Sequence, residues 1–126
     1  MFEIVKKLFL IGILFLIVDF TYLQIVSSSY ATMIKDIQNT SMIIRLLPVV
    51  LCYTVMVAAL FYFIIQKKES LTSAFILGFV IYAVFNTTNL ALLSKWRWSN
   101  SILDSIWGGI LFVIVTKLYY MINVNM

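Results

Sequence analysis

Apolar residues fill this chain in four long blocks, each closed by a short polar stretch, with little of the alternation that marks a soluble fold. The blocks run Ile4–Val26, Ile43–Ile65, Ser73–Leu93 and Ile102–Ile122. Each holds about 20 residues, enough at ~1.5 Å per residue to cross a ~30 Å hydrocarbon layer. Helix is the open-chain form that satisfies its own backbone in lipid, so the pattern predicts four transmembrane helices. Short connections make sequential helices antiparallel neighbours. The expected fold is an all-α integral membrane protein, an up-down bundle of four transmembrane helices forming one domain over residues 1–126.

The connections refine this picture. Ser27, Ser28 and Ser29 read as the end of the first helix and the start of the longest loop, SSSYATMIKDIQNTS. Within it Met33, Ile34 and Ile37 are spaced for one interfacial turn, with Tyr30 at the headgroups. Asn39-Thr40-Ser41 matches a glycosylation sequon, a pattern short enough to arise by chance. Pro48 falls near the start of the second helix, where a missing N–H costs least. Gln66–Ser70 forms a polar turn into the third helix. In SKWRWSNS, the last connection, Trp96 and Trp98 alternate with Lys95 and Arg97, as membrane-interface anchors do. Ala74 with Gly78, and Ser101, Ser105 and Gly109, recur at four-residue spacing and would let helix backbones approach closely.

Composition agrees with the pattern and narrows the chemistry. Mean hydropathy is +1.07 and only 11% of residues are charged, outside the range of soluble domains. The net charge of +4 comes from basic residues at segment ends, not from a stripe, so no nucleic-acid partner is expected. Lys6, Lys7, Lys67, Lys68 and Lys117 fall on the side of the termini; Lys35, Arg45, Lys95 and Arg97 fall on the other. Five against four is a slight bias that places the termini in the cytoplasm. Asp19 interrupts the first apolar run well before Ser29-Tyr30-Ala31, which argues against a cleaved signal peptide. The single Cys52 allows no internal disulfide, and the absence of histidine removes imidazole metal sites and triad bases. No metal or cofactor is expected.

The polar residues inside the blocks carry the candidate chemistry. Asp19 follows the unbroken run LFLIGILFLIV, and an aspartate at mid-helix costs roughly 2.5–3.5 kcal/mol to insert. Partners in the bundle or a bound proton must offset that cost. Counting from Lys7, Asp19 lies ~18 Å up, about 12 Å below the far surface of a ~30 Å layer. Counted down from Lys95, Asn86 lies at ~13 Å and Asn89 at ~9 Å below that surface. Asp104 falls at ~4–5 Å, Trp107 at ~9 Å and Tyr22 at ~7–8 Å. Three helices thus bring polar residues to one half of the bundle. Tyr82, Asn86 and Asn89 share a helix face, as do Asp19 with Tyr22 and Asp104 with Trp107. Thr88 completes the candidate set of ligand-binding or proton-carrying groups.

Structural readings stand beside the functional ones. Ser101 to Asp104 fits a capping box at the start of the fourth helix. Asn86 and Asn89 fit interhelical glue worth ~0.6 kcal/mol each, and Trp107 fits a packed aromatic. Lys117 lies ~24 Å down the fourth helix and reaches the near surface by snorkelling, away from Asp19.

Asn86-Thr87-Thr88-Asn89-Leu90-Ala91, then Trp96, then Asp104-Ser105-Ile106-Trp107-Gly108 resembles the signature of the membrane protein family catalogued as domain of unknown function 2177. That signature runs Tyr-Asp-Leu-Thr-Asn-Leu-Ala, a Trp, then Asp-Ile-Ala-Trp-Gly. Asp19, Tyr22, Gly78 and Tyr82 also fit it. Phe85 and Asn86 stand where the family has Tyr and Asp, and Arg97 where a Pro often follows the Trp. The resemblance implies a four-helix integral membrane protein and assigns no activity. Where the family acid carries a proton or charge, Asn86 has lost that step or Asp19 has taken it over.

Three functions fit these residues. The favoured one is a membrane protein that binds or carries a small polar or lipid ligand in the polar cluster, through a pocket opening towards the tryptophan loop. In it Asp19 and Asp104 accept, Asn86, Thr88 and Asn89 orient the ligand, and Trp107 and Tyr22 wall it. The second helix and the inner half of the fourth offer Cys52, Thr54, Thr116 and Lys117, too few for a continuous polar pore. The first alternative is a structural or assembly subunit with the polar residues as glue. The second is a small lipid-modifying enzyme using two carboxylates as acid and base. A homo-oligomer suits so small a bundle.

Overall fold

The computed structural model describes residues 2–124. The described residues form α1 (Phe2–Gln38), α2 (Leu46–Leu60) continued by a π-helical turn (Phe61–Ile65), α3 (Leu71–Leu92) and α4 (Trp98–Val124), and contain no strand. All four helical segments are long and apolar enough to cross a membrane. They run up and down in sequence, as the connection lengths require.

The first helix is longer than expected. At ~1.5 Å per residue α1 reaches ~55 Å, so its C-terminal third projects past a ~30 Å apolar layer. The serine run does not end it. Thr32 Oγ1 donates to the Ser28 carbonyl one turn back (2.9 Å), and contacts with the start of α4 hold the extension in place. Asn100 Nδ2 donates to Ser29 Oγ (3.0 Å), and the Tyr30 hydroxyl donates to the Asn100 carbonyl (3.2 Å). The Arg97 amide donates to Met33 Sδ at 3.3 Å, and Met33 is fully buried. Tyr30 and Met33, expected in an interfacial loop, are therefore packing residues of α1. Lys95 Nζ reaches the Asp36 carbonyl in the last turn, where a cation meets the negative end of the helix dipole. Asn39 then turns the chain with φ 61°, a left-handed cap that asparagine tolerates.

The other boundaries shift less. Pro48 lies in the first turn of α2, as its missing donor demands. Ser70 caps α3 by accepting from the Ser73 amide (3.2 Å), which starts that helix at Leu71. The fourth helix begins at Trp98, before Ser101, so the expected capping box does not form. Ser101 Oγ instead donates to the Arg97 carbonyl (3.0 Å).

Side-chain size decides how the helices meet. α3 and α4 make the closest pair, with Ala74, Ser101 and Ser105 buried along their seam. Gly78 and Gly108 sit at its centre. A Cβ on Gly78 would collide with the Gly108 carbonyl, and one on Gly108 with the Tyr82 ring. α4 packs in turn on α1, and α1 on α2, but α2 scarcely touches α3. The bundle is thus an open arc, α3–α4–α1–α2. Its apolar core fills the half nearer the termini, where Phe15 meets Phe112 edge-on at 5.3 Å among Ile11, Leu60, Leu111 and Val115. The polar residues collect in the other half.

Candidate functional site

Two buried carboxylates organise that half. Asp19, only 5% exposed on α1, accepts from the Trp107 indole Nε1 of α4 at 3.0 Å and from the Tyr53 hydroxyl of α2. Three helices meet on this one side chain. One turn along α1, Tyr22 stacks face to face on Trp107, with ring centroids 4.4 Å apart and planes 9° from parallel. The stack fixes the indole so that its N–H points at Asp19. Among the described residues the buried Tyr22 hydroxyl has no hydrogen-bond partner.

The second carboxylate, Asp104 on α4, pairs with α3. Asn86 Nδ2 donates to Asp104 Oδ2 and to the Tyr82 carbonyl, both at 2.8 Å. Asn86 Oδ1 accepts from the Trp96 indole at 3.4 Å. Asn86 is wholly buried, and these contacts use its donor and acceptor ends together. Asp104 therefore lies in the α3–α4 interface and not at a helix cap. Its neighbour in sequence, Ser105, donates to the Ser101 carbonyl (2.8 Å), which leaves Asp104 free to face Asn86.

The structure brings together Asp19, Tyr22, Asn86, Asp104 and Trp107, with Tyr82 supplying a carbonyl and a ring over Gly108. It leaves Thr88 exposed on α3, and the Asn89 carbonyl is engaged by the Leu93 amide at the end of that helix. Trp96 departs from its expected place at the membrane surface: at 8% exposure it is folded inward onto Asn86, because the Leu93–Trp96 turn points its indole down the α3–α4 seam. Trp98, 70% exposed, keeps the position of an interfacial indole. Arg97 forms an ion pair with Asp36 (3.2 Å), so with Lys95 it ties the end of α1 to the last connection.

Tyr53 is the residue that sequence reading passed over. Seven residues into α2 it lies ~10 Å below the start of that helix, close to the depth of Asp19. That depth match was the available signal. Asn100 was hidden for a different reason: its role depends on α1 extending to meet it.

The expected mouth at the tryptophan loop is covered by the inward-turned Trp96 and by the extension of α1. An apolar groove of about 770 Å³ opens instead in the gap between α2 and α3. Cys52, Tyr53 and Met56 line it from α2, Tyr82 and Phe85 from α3, and Asp104 from α4. One carboxylate, Asp104, and the hydroxyl-bearing rings of Tyr53 and Tyr82 thus stand in an otherwise carbon-lined groove. No curated protein and no solved structure matches the chain. The match to a family model runs over residues 4–121, from the first membrane helix to the end of the fourth. With four membrane-spanning helices and that match across nearly its whole length, the chain belongs to the family of predicted membrane proteins designated DUF2177.

Proposed function

We propose that this protein binds, and in doing so holds or carries, a small polar or lipid ligand at the intramembrane cluster of Asp19 and Asp104. The observation that carries the reading is the position of Asp104. A carboxylate in the membrane half of a bundle is a functional candidate by default, and this one forms part of the wall of the groove between α2 and α3. Asn86 holds it in orientation, and Tyr53 from α2 and Tyr82 from α3 bring hydroxyl-bearing rings to the same groove. The terminal half of the bundle is filled by the apolar core, which argues for a binding site rather than a pore.

The test places its probe at the lipid-facing rim of the groove. Leu51, which lines the groove from α2 and is 55% exposed, is replaced by the photo-crosslinking residue p-benzoylphenylalanine and the membranes are irradiated. One adduct of defined mass, enriched over bulk phospholipid, supports a ligand site. Adducts in the proportions of the surrounding lipid would sink it.

A second reading has its own observation. Both oxygens of Asp19 are bonded, one to α2 and one to α4, as a pure helix staple requires. In a structural or assembly subunit the cluster is glue, and its loss lowers stability without changing any bound mass.

A further inference from the structure

We infer that the ligand is a membrane-dissolved amphiphile with a neutral or cationic hydrogen-bond-donating head, entering sideways from the bilayer between α2 and α3. This rests on the binding reading above and adds to it a route and a ligand class.

The route follows from what is closed. Towards the loops, Trp96 and the α1 extension held by Asn100 and Arg97 cover the cluster. Towards the termini, Phe15, Leu111 and Phe112 fill the space between helices. Between α2 and α3 there is scarcely any helix contact, and there the groove lies. Its volume, about 770 Å³, is in the range of sites that take one drug-sized molecule.

The ligand class follows from charge. The groove's polar groups are the Asp104 carboxylate, the Tyr53 and Tyr82 hydroxyls and the Cys52 thiol; none of its lining residues is Lys or Arg. Of the loop cations, Lys95 and Arg97 are engaged with Asp36, and Arg45, just ahead of α2, is not among the residues that line the groove. A phosphate or carboxylate head would stand beside Asp104 with no cation to balance it, in a medium that screens poorly. A hydroxyl or ammonium head meets an acceptor instead. Asn86 takes one bond at Oδ2, and a carboxylate has about four lone-pair sites, so capacity remains. The remaining lining, such as Met56, Ile81 and Phe85, is carbon and accommodates a chain.

The experiment titrates the full-length protein in phosphatidylcholine nanodiscs at pH 8 with tetradecanol, tetradecylamine and tetradecanoate, three probes with one chain and three heads. The alcohol and the amine should bind one per chain, about tenfold or more tighter than the carboxylate, because discrimination here is a repulsion built into the site. Asp104→Asn should shrink that ratio several-fold. Cys52→Phe, which fills the groove from α2, should weaken the alcohol and the amine alike. Equal binding of tetradecanoate and tetradecanol by the wild type would overturn the ligand class while leaving the site standing. Undiminished binding by Cys52→Phe would overturn the route. Failure of all three probes on the wild type would overturn the class and count against the binding reading as well. Should Asp104→Asn not fold, the wild-type ranking and Cys52→Phe decide the matter.

Discussion

Tyr53 and Trp107 approach the Asp19 carboxylate from opposite helices, each donating to a different oxygen. One side chain thereby joins α1, α2 and α4, and α2 has few other ties, since it packs on α1 and scarcely on α3. Replacing Tyr53 with Phe removes one hydrogen bond to the Asp19 side chain and should lower stability by roughly 1–3 kcal/mol. Asp19→Asn should cost a similar amount, because the new amide N–H₂ must face one of the two donors. Denaturant titration of the reconstituted protein, followed by helical circular dichroism, measures both. A loss in Asp19→Asn with none in Tyr53→Phe would assign the staple to Trp107 alone.

Asn86 serves two partners, so its removal exposes both. Asn86→Leu leaves the Asp104 carboxylate and the Trp96 indole without the bonds they make at 2.8 and 3.4 Å. Each buried group left unpaired costs about 1–3 kcal/mol. The indole should also swing out, raising the quenching of tryptophan fluorescence by acrylamide; unchanged quenching would contradict the Trp96 contact.

The glycines divide sharply by place. Gly108→Ala drives a methyl into the Tyr82 ring at the closest helix pair and should destabilise by about 1–3 kcal/mol, the usual range for overpacking. Gly12 has nothing within 4 Å of an added Cβ, so Gly12→Ala should be neutral or stabilise by up to about 1 kcal/mol. Paired melting curves of the two variants check the contrast.

The outer part of α1 owes its helical state to α4. Hydrogen exchange should show amides 29–37 protected in the wild type and several-fold less so in Asn100→Ala, which loses the bond to Ser29. Arg97→Ala breaks an exposed ion pair, worth ~0–1 kcal/mol, and should change exchange little at its side chain's expense alone. Equal protection in Asn100→Ala would mean the extension is self-supporting.

What the sequence disclosed follows from which forces are local. Apolar block length is dictated by the bilayer, so all four helices were legible, and the expected meeting of Asp19, Asn86, Asp104 and Trp107 followed from rise per residue alone. The α1 boundary was not legible, because three serines weakly disfavour helix while Tyr30, Met33 and Asn100 favour it through contacts some seventy residues apart in sequence. Trp96 and Trp98 show the same limit. Their composition is that of an interfacial pair, yet a tight turn sends one inward to Asn86 and leaves the other exposed. Tyr53 was missed because a phenol on an apolar helix reads as packing until the depth of its partner is known.

The proposed ligand site and a mere helix staple differ in whether the cluster of Asp19 and Asp104 retains a bound molecule. Native mass spectrometry of the protein released from mild detergent, wild type beside Asp104→Asn, tests it most directly. Asparagine keeps an oxygen for Asn86, so the variant should remain folded. One defined small molecule or lipid species should be retained by the wild type and lost from the variant. The same bare mass for both proteins would contradict the ligand site and leave the polar cluster as helix glue.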